Sequence, residues 1–218
     1  MQFPSNSAAR RILNSFGIIF GLMLITGAMG SFGIYKTNDS FREMYERRLV
    51  PAMDISHIIE KQYQNRFHLE EHISGISIEN YTELENDIAQ NNAQVDSMIN
   101  HYADGGNVLD AVEAQELKKY RNAIRSYRLL EKEILQLSRQ NQKQIAAELF
   151  TKKTYPAFQA AVRPMERLED DQVLLGKQLY QKTETSVSNI RTGLFVAIAV
   201  GLVVGIVLAL VVSREYIS

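Results

Sequence analysis

Residues 193–212 read GLFVAIAVGLVVGIVLALVV, a run without a charged or strongly polar side chain. A helix crossing the hydrocarbon core of a bilayer needs about 20 predominantly apolar residues. Arg191 and Arg214 flank the run, and long basic side chains at such positions reach back to the headgroup level. A helix of this length in a soluble core would carry a polar face, and this one has none. The run predicts a membrane span, so everything upstream is expected to be presented to one side of a bilayer.

A second apolar run, residues 12–34, follows Arg10 and Arg11. Thr26 and Ala28 offer a signal-peptide cleavage site as the competing reading. The apolar region of a signal peptide is about 7–15 residues, and this run is longer, so an uncleaved span is expected. Residues 1–34 carry two arginines and no acidic residue. The excess of basic residues keeps that end cytoplasmic, and a second span returns the C-terminus to the same side. The expected order is a cytoplasmic tail (1–11), a span (12–34), a periplasmic or extracellular domain (35–191), a span (192–212) and a cytoplasmic stub (213–218). An inner (cytoplasmic) membrane is the expected location.

The formal net charge is −1, which does not suit a nucleic-acid surface. The absence of cysteine excludes disulfides, a thiolate nucleophile and a thiolate zinc site. Between the spans the pattern is helical. Phe41, Met44, Tyr45, Leu49, Met53, Ile58, Ile59, Tyr63 and Phe67 recur at helical spacing in a first helix, kinked at Pro51 and ending near Ser74-Gly75, where glycine suits a left-handed C-terminus. Tyr81, Leu84, Ile88, Asn91, Val95, Met98 and Tyr102 alternate steps of three and four along a second helix. Ser77 would cap it and Asp104-Gly105-Gly106-Asn107 would end it. A third helix is expected from Leu109 to Phe150, with Leu117, Tyr120, Ile124, Tyr127, Ile134, Leu137, Asn141 and Ile145 on one side. A break at 152–156 precedes a fourth, whose Pro156 lies near its start, with Pro164 as a further kink. The fold class is therefore all-α: two transmembrane helices flanking an extracytoplasmic, antiparallel four-helix bundle.

Met44-Tyr45-Glu46-Arg47-Arg48-Leu49-Val50-Pro51, soon after the first span, resembles the start of the four-helix-bundle sensor domain of methyl-accepting chemotaxis receptors. The resemblance covers nearly the whole chain, and Val212-Ser213-Arg214-Glu215-Tyr216-Ile217 is similar to the start of that family's cytoplasmic linker. It implies extracytoplasmic ligand sensing and transmembrane signalling. The linker, methylation helices and kinase-binding tip are absent from the residues up to Ser218, so a sensor without its output part is expected. The alternatives are a membrane-anchored bundle that binds another protein, or the sensor of a histidine kinase or nucleotide cyclase.

His68-Leu69-Glu70-Glu71-His72 matches the inverted zincin pattern, and His68 with His72 makes a weak metal pair on one helix face. A catalytic scaffold and a third ligand are missing, and no glycine-rich phosphate loop follows a strand. A non-enzyme without a cofactor is expected. By the resemblance, a small-molecule site lies at the membrane-distal end, between the first and fourth helices. There Asn65, Arg66, His68 and His72 would face Thr154 and Tyr155. A guanidinium matches a carboxylate at two points at once, which makes Arg66 the leading contact for a carboxylated solute. Gly17 with Gly21, and Gly201 with Gly205, place small residues at a spacing that lets helices approach in lipid, so a homodimer is expected. Asn91 is expected to face inward, bonded to Asn141, and its replacement by leucine to raise stability if its cost exceeds its bonds.

Overall fold

The computed structural model describes residues 6–75, 79–104 and 110–217. Among these the chain is helical, without a strand. The helices are α1 (Asn6–Met44), α2 (Val50–Ser74), α3 (Glu79–Asp104), α4 (Ala111–Arg139), α5 (Lys143–Leu149) and α6 (Tyr155–Ile217). Two π-helical turns, Tyr45–Leu49 and Phe150–Thr154, join α1 to α2 and α5 to α6. Ser77 and the Gly105-Gly106-Asn107 turn lie outside the described residues.

Both π turns precede a proline. Val50 donates its backbone N–H to Tyr45 O just before Pro51, and Tyr155 donates to Phe150 O just before Pro156. A proline has no N–H and its ring crowds the carbonyl four residues back. Widening the preceding turn to five residues absorbs that demand without ending the helix. The expected break at 152–156 is therefore a bulge in a continuing helix, while Pro164 lies within α6.

The chain divides into two compact units, Met44–Lys177 and Met1–Glu43 with Gln178–Ser218. The first is a four-helix bundle. Its partners run in opposite directions: His72 and Asn65 of α2 meet Glu85 and Asn91 of α3, and Glu113 and Glu116 of α4 meet Gln172 and Arg167 of α6. Each helix buries one stripe at steps of three and four. On α4 the stripe is Glu113, Leu117, Tyr120, Ile124, Tyr127, Glu131, Ile134 and Ser138. On α6 it includes Phe158, Ala161, Met165, Leu168 and Gln172. The seam expected on α3 is present, with Tyr81, Ile88, Asn91, Val95 and Tyr102 buried.

On α2 the expected stripe holds at Ile58, which is buried, and at Ile59, which packs against the core, and fails at most other positions. The buried face is Pro51, Ala52, Ile55, Ile58, Gln62, Asn65, Leu69 and His72, whereas Tyr45, Leu49, Met53 and Phe67 are exposed. Gln62, Asn65 and His72 make part of the true seam polar, so apolar periodicity pointed largely to the outer face.

The third helix ends earlier than expected, at Arg139. Asn141 takes a left-handed conformation, φ 58°. Gln142 N–H bonds Leu137 O at 2.9 Å and Asn141 N–H bonds Ser138 O at 3.0 Å, the paired bonds of a Schellman C-terminus with asparagine in glycine's usual place. Asn141 is thus a turn residue, not a seam partner of Asn91, and Ile145 on α5 is exposed. At the start of α4, Asp110 caps Val112 and Glu113 while the Glu113 side chain accepts from Asp110 N–H, a reciprocal capping box. α2 ends at Ser74 as expected, for a different reason. Gly75 is extended (φ −61°, ψ 139°), and a Cβ there would meet Glu71 O at 2.8 Å. Room, not handedness, requires the glycine.

In the second unit, the apolar windows found within Leu13–Ser74 and Lys143–Val211 are long enough to cross a membrane and are 6% and 0% buried. A soluble core helix of that composition would be covered on most of its surface. Gly33 is buried, and a Cβ there would lie 2.7 Å from Ile190 Cγ2, so here α1 and α6 touch only because position 33 has no side chain.

Candidate functional site

The polar members of the four seams meet one another in layers. At the start of α2, Arg48 Nη1 donates to Gln172 Oε1 at 3.2 Å and lies 3.7 Å from Glu113 Oε1. Gln172 Nε2 donates to Glu113 and, at 3.3 Å, to Tyr102 Oη. Burial, then the Glu113 charge, pushes the Tyr102 phenol up to about 12.

In the middle layer Asn91 Nδ2 donates to Asn65 Oδ1 at 2.9 Å, Asn65 Nδ2 to Asn92 Oδ1 at 3.1 Å, and Asn92 Nδ2 to Glu131 Oε1 at 2.9 Å. The chain of amides ends on a buried carboxylate whose other oxygen, Oε2, has no hydrogen-bond partner. Desolvation dominates there and pushes Glu131 up to about 7. Beside it Arg128 makes a two-point pair with Asp96, both bonds 2.9 Å.

The end layer gathers four helices on His72. Its Nδ1 lies 2.8 Å from Ser138 Oγ and its Nε2 3.0 Å from Glu85 Oε1. Tyr81 stacks on the imidazole, centroids 4.2 Å apart. Lys143 Nζ lies over the Tyr81 ring and donates to Tyr81 Oη, Ser138 Oγ and the His72 carbonyl. Arg139 forks onto both Glu85 oxygens. Serine, histidine and carboxylate in sequence resemble a nucleophilic triad, but Ser138 is buried, and its hydroxyl also donates to His72 O at 2.6 Å. No face of Oγ is open to a substrate, so the cluster ties helices together.

The six residues expected at the ligand site are thereby separated. Asn65 and His72 face inward. Thr154 is buried and donates to Leu149 O at 3.3 Å. His68 lies 3.6 Å from Glu71. Both nitrogens of His72 are committed, so His68 and His72 do not offer two free imidazoles. Among the described residues no group of three or more His, Asp or Glu side chains is placed to hold a metal.

Arg66 and Tyr155 do come together. The guanidinium carbon lies 5.8 Å from the Tyr63 ring centroid, 5.7 Å from Tyr155 and 5.6 Å from Phe158. Its ion pair is with Glu70, one turn on, at 3.5 Å. Phe158 is the buried floor, packed edge-on against Tyr63 at 5.0 Å. This cluster lies about 12 Å below the end of α2 at 1.5 Å per residue, because the bundle closes at Asn141 and not at residue 154. Tyr63 and Phe158 belong to the cluster and were missed. The apolar spacing marked Tyr63 as a packing residue, and only the arginine beside it distinguishes it.

Comparison with known families matches residues 8–187 to a four helix bundle sensory module for signal transduction. No curated protein and no solved structure matches the chain.

Proposed function

Because this chain belongs to the family of four-helix-bundle sensory modules for signal transduction, we propose that it is the ligand-sensing and membrane-spanning part of a chemoreceptor-like protein. The observation that carries the reading is α6, a single helix from Tyr155 to Ile217 that holds both a bundle seam and the apolar run. A displacement at Phe158 has no loop in which to dissipate before that run. In this reading residues 12–34 and 192–212 span the inner membrane, both termini are cytoplasmic, and residues 35–191 face the periplasm or exterior. The chain acts as a non-enzyme.

The ligand surface is the Arg66 cluster, and the solute carries a carboxylate that exchanges with Glu70 for the guanidinium. The exposed row Tyr45, Leu49 and Met53 is the face through which two copies of the bundle associate. A row of that kind also suits a bundle that docks another protein, the second reading.

Calorimetric titration of the full chain in lipid nanodiscs with a panel of small organic acids and amino acids tests the proposal. Binding abolished by Arg66→Ala, with an unchanged helical spectrum, is the expected result. Absence of binding across the panel would remove the Arg66 site and favour the docking reading.

A further inference from the structure

We infer that the Arg66 site takes a planar aromatic monocarboxylate, an acid of the benzoate type; the inference rests on the solute-sensing reading above. A carboxylate held at two points by a guanidinium lies in the guanidinium plane. In benzoate the ring is conjugated with its carboxylate, so the whole ligand extends that plane. Tyr63 and Tyr155, whose ring centroids lie 5.8 and 5.7 Å from the guanidinium carbon, are 39% and 41% exposed. Phe67, one turn along the α2 face from Tyr63, is 55% exposed. A flat ring paired with Arg66 would add a π surface to the three aromatics already grouped within 6 Å of the cation. A saturated ring of the same size is thicker and has no π face to offer.

The charge pattern points the same way. Arg66 is 27% exposed at its side chain and held by Glu70, itself 41% exposed, at 3.5 Å. That distance exceeds the usual 2.7–2.9 Å, roughly, of a charge-assisted hydrogen bond, so the pair is loose and the anion exchangeable. Glu166 already accepts from Tyr63 Oη at 3.3 Å, which holds that ring in place.

Titration of the full chain in nanodiscs with benzoate, cyclohexanecarboxylate, phenylalanine and glutamate separates the cases. Benzoate is expected to bind up to about tenfold more tightly than cyclohexanecarboxylate, a difference equivalent to one aromatic contact. Arg66→Ala should abolish binding, Arg66→Lys should weaken it, and Tyr155→Leu should remove the preference for benzoate while retaining weak binding of both acids. Thermal midpoints of each variant identify any that fail to fold, and Tyr155→Leu carries the test if Arg66→Ala does. Equal or tighter Arg66-dependent binding of cyclohexanecarboxylate or an amino acid would overturn the aromatic assignment and leave solute sensing at Arg66 standing. Benzoate binding unchanged by both Arg66→Ala and Tyr155→Leu would overturn the site itself, as would no binding of any of the four acids.

Discussion

His72 has no exposed surface, and its desolvation lowers its basicity even though Glu85, hydrogen-bonded to Nε2, pulls the other way; Lys143 and Arg139 add to the lowering. In the neutral ring Nε2–H donates to Glu85 and the Ser138 hydroxyl can turn to Nδ1. In the imidazolium both nitrogens donate, and Ser138 turns to the His72 carbonyl. A histidine depressed in the folded chain contributes stability above its unfolded value of 6.5, and that stability is lost as the pH falls below it. Glu131 works in the opposite direction. Raised from 4.5 to about 7, it contributes stability below pH 4.5 that is lost as the pH rises through 7. We expect Glu131→Gln to be more stable than the parent by on the order of 3 kcal/mol near pH 8 and equal to it near pH 4. We expect His72→Gln to lose the parent's decline in thermal midpoint between roughly pH 7 and 5. Denaturation across pH checks both, and a Glu131→Gln curve parallel to the parent's would show that the carboxylate stays ionised. Neither group was legible in sequence as a titrating one, because their burial follows from seams whose polar members look like surface residues.

At the scale of one helix, the seam of α3 was legible because six of its seven members are apolar or aromatic. The seam of α2 was not, because Gln62, Asn65 and His72 occupy it while Tyr45, Leu49 and Met53 lie outside. The same fact reverses an expectation for Asn91. Replacement by leucine leaves Asn65 Oδ1, which accepts from Asn91 at 2.9 Å, buried without that donor. We therefore expect Asn91→Leu to destabilise the bundle by about 1–3 kcal/mol. Asn65→Leu with Asn91→Leu should cost less than the sum of the single changes, since both ends of the bond are removed together. Chemical denaturation of the two single variants and the double measures the coupling, and strict additivity would mean the amides do not depend on each other. The turn at Asn141 was also illegible, set in a run of glutamine, arginine and lysine without glycine or proline. Its left-handed φ makes a further prediction: Asn141→Gly should be neutral or slightly stabilising, and Asn141→Val should cost about 1–2 kcal/mol.

For the whole molecule, the apolar runs were legible because about twenty predominantly apolar residues in a row have few alternatives, whereas the contacts between them were not. Gly33, which had not been singled out, is where α1 and α6 approach within one chain, with Ile190 filling the space a side chain would need. Gly17, Gly21, Gly201 and Gly205 have nothing within 4 Å of an added Cβ. They make no close contact in the single chain, and as small residues at four-residue spacing they are free to meet a second copy. The two sets therefore predict different crosslinks. In the full chain with cysteine at 33 and 190, disulfides should form within one chain, and the yield should not change when the protein is diluted in lipid. Single cysteines scanned along both spans should crosslink between chains, with maxima near 201 and 205 or near 17 and 21, and the yield should fall on dilution. Gly33→Leu in the single-cysteine chains should leave the intermolecular maxima where they are, because the added side chain collides with Ile190 in the same chain. A flat intermolecular profile along both spans would remove these glycine stripes as the dimer contact and leave the exposed Tyr45, Leu49 and Met53 row to hold two copies together.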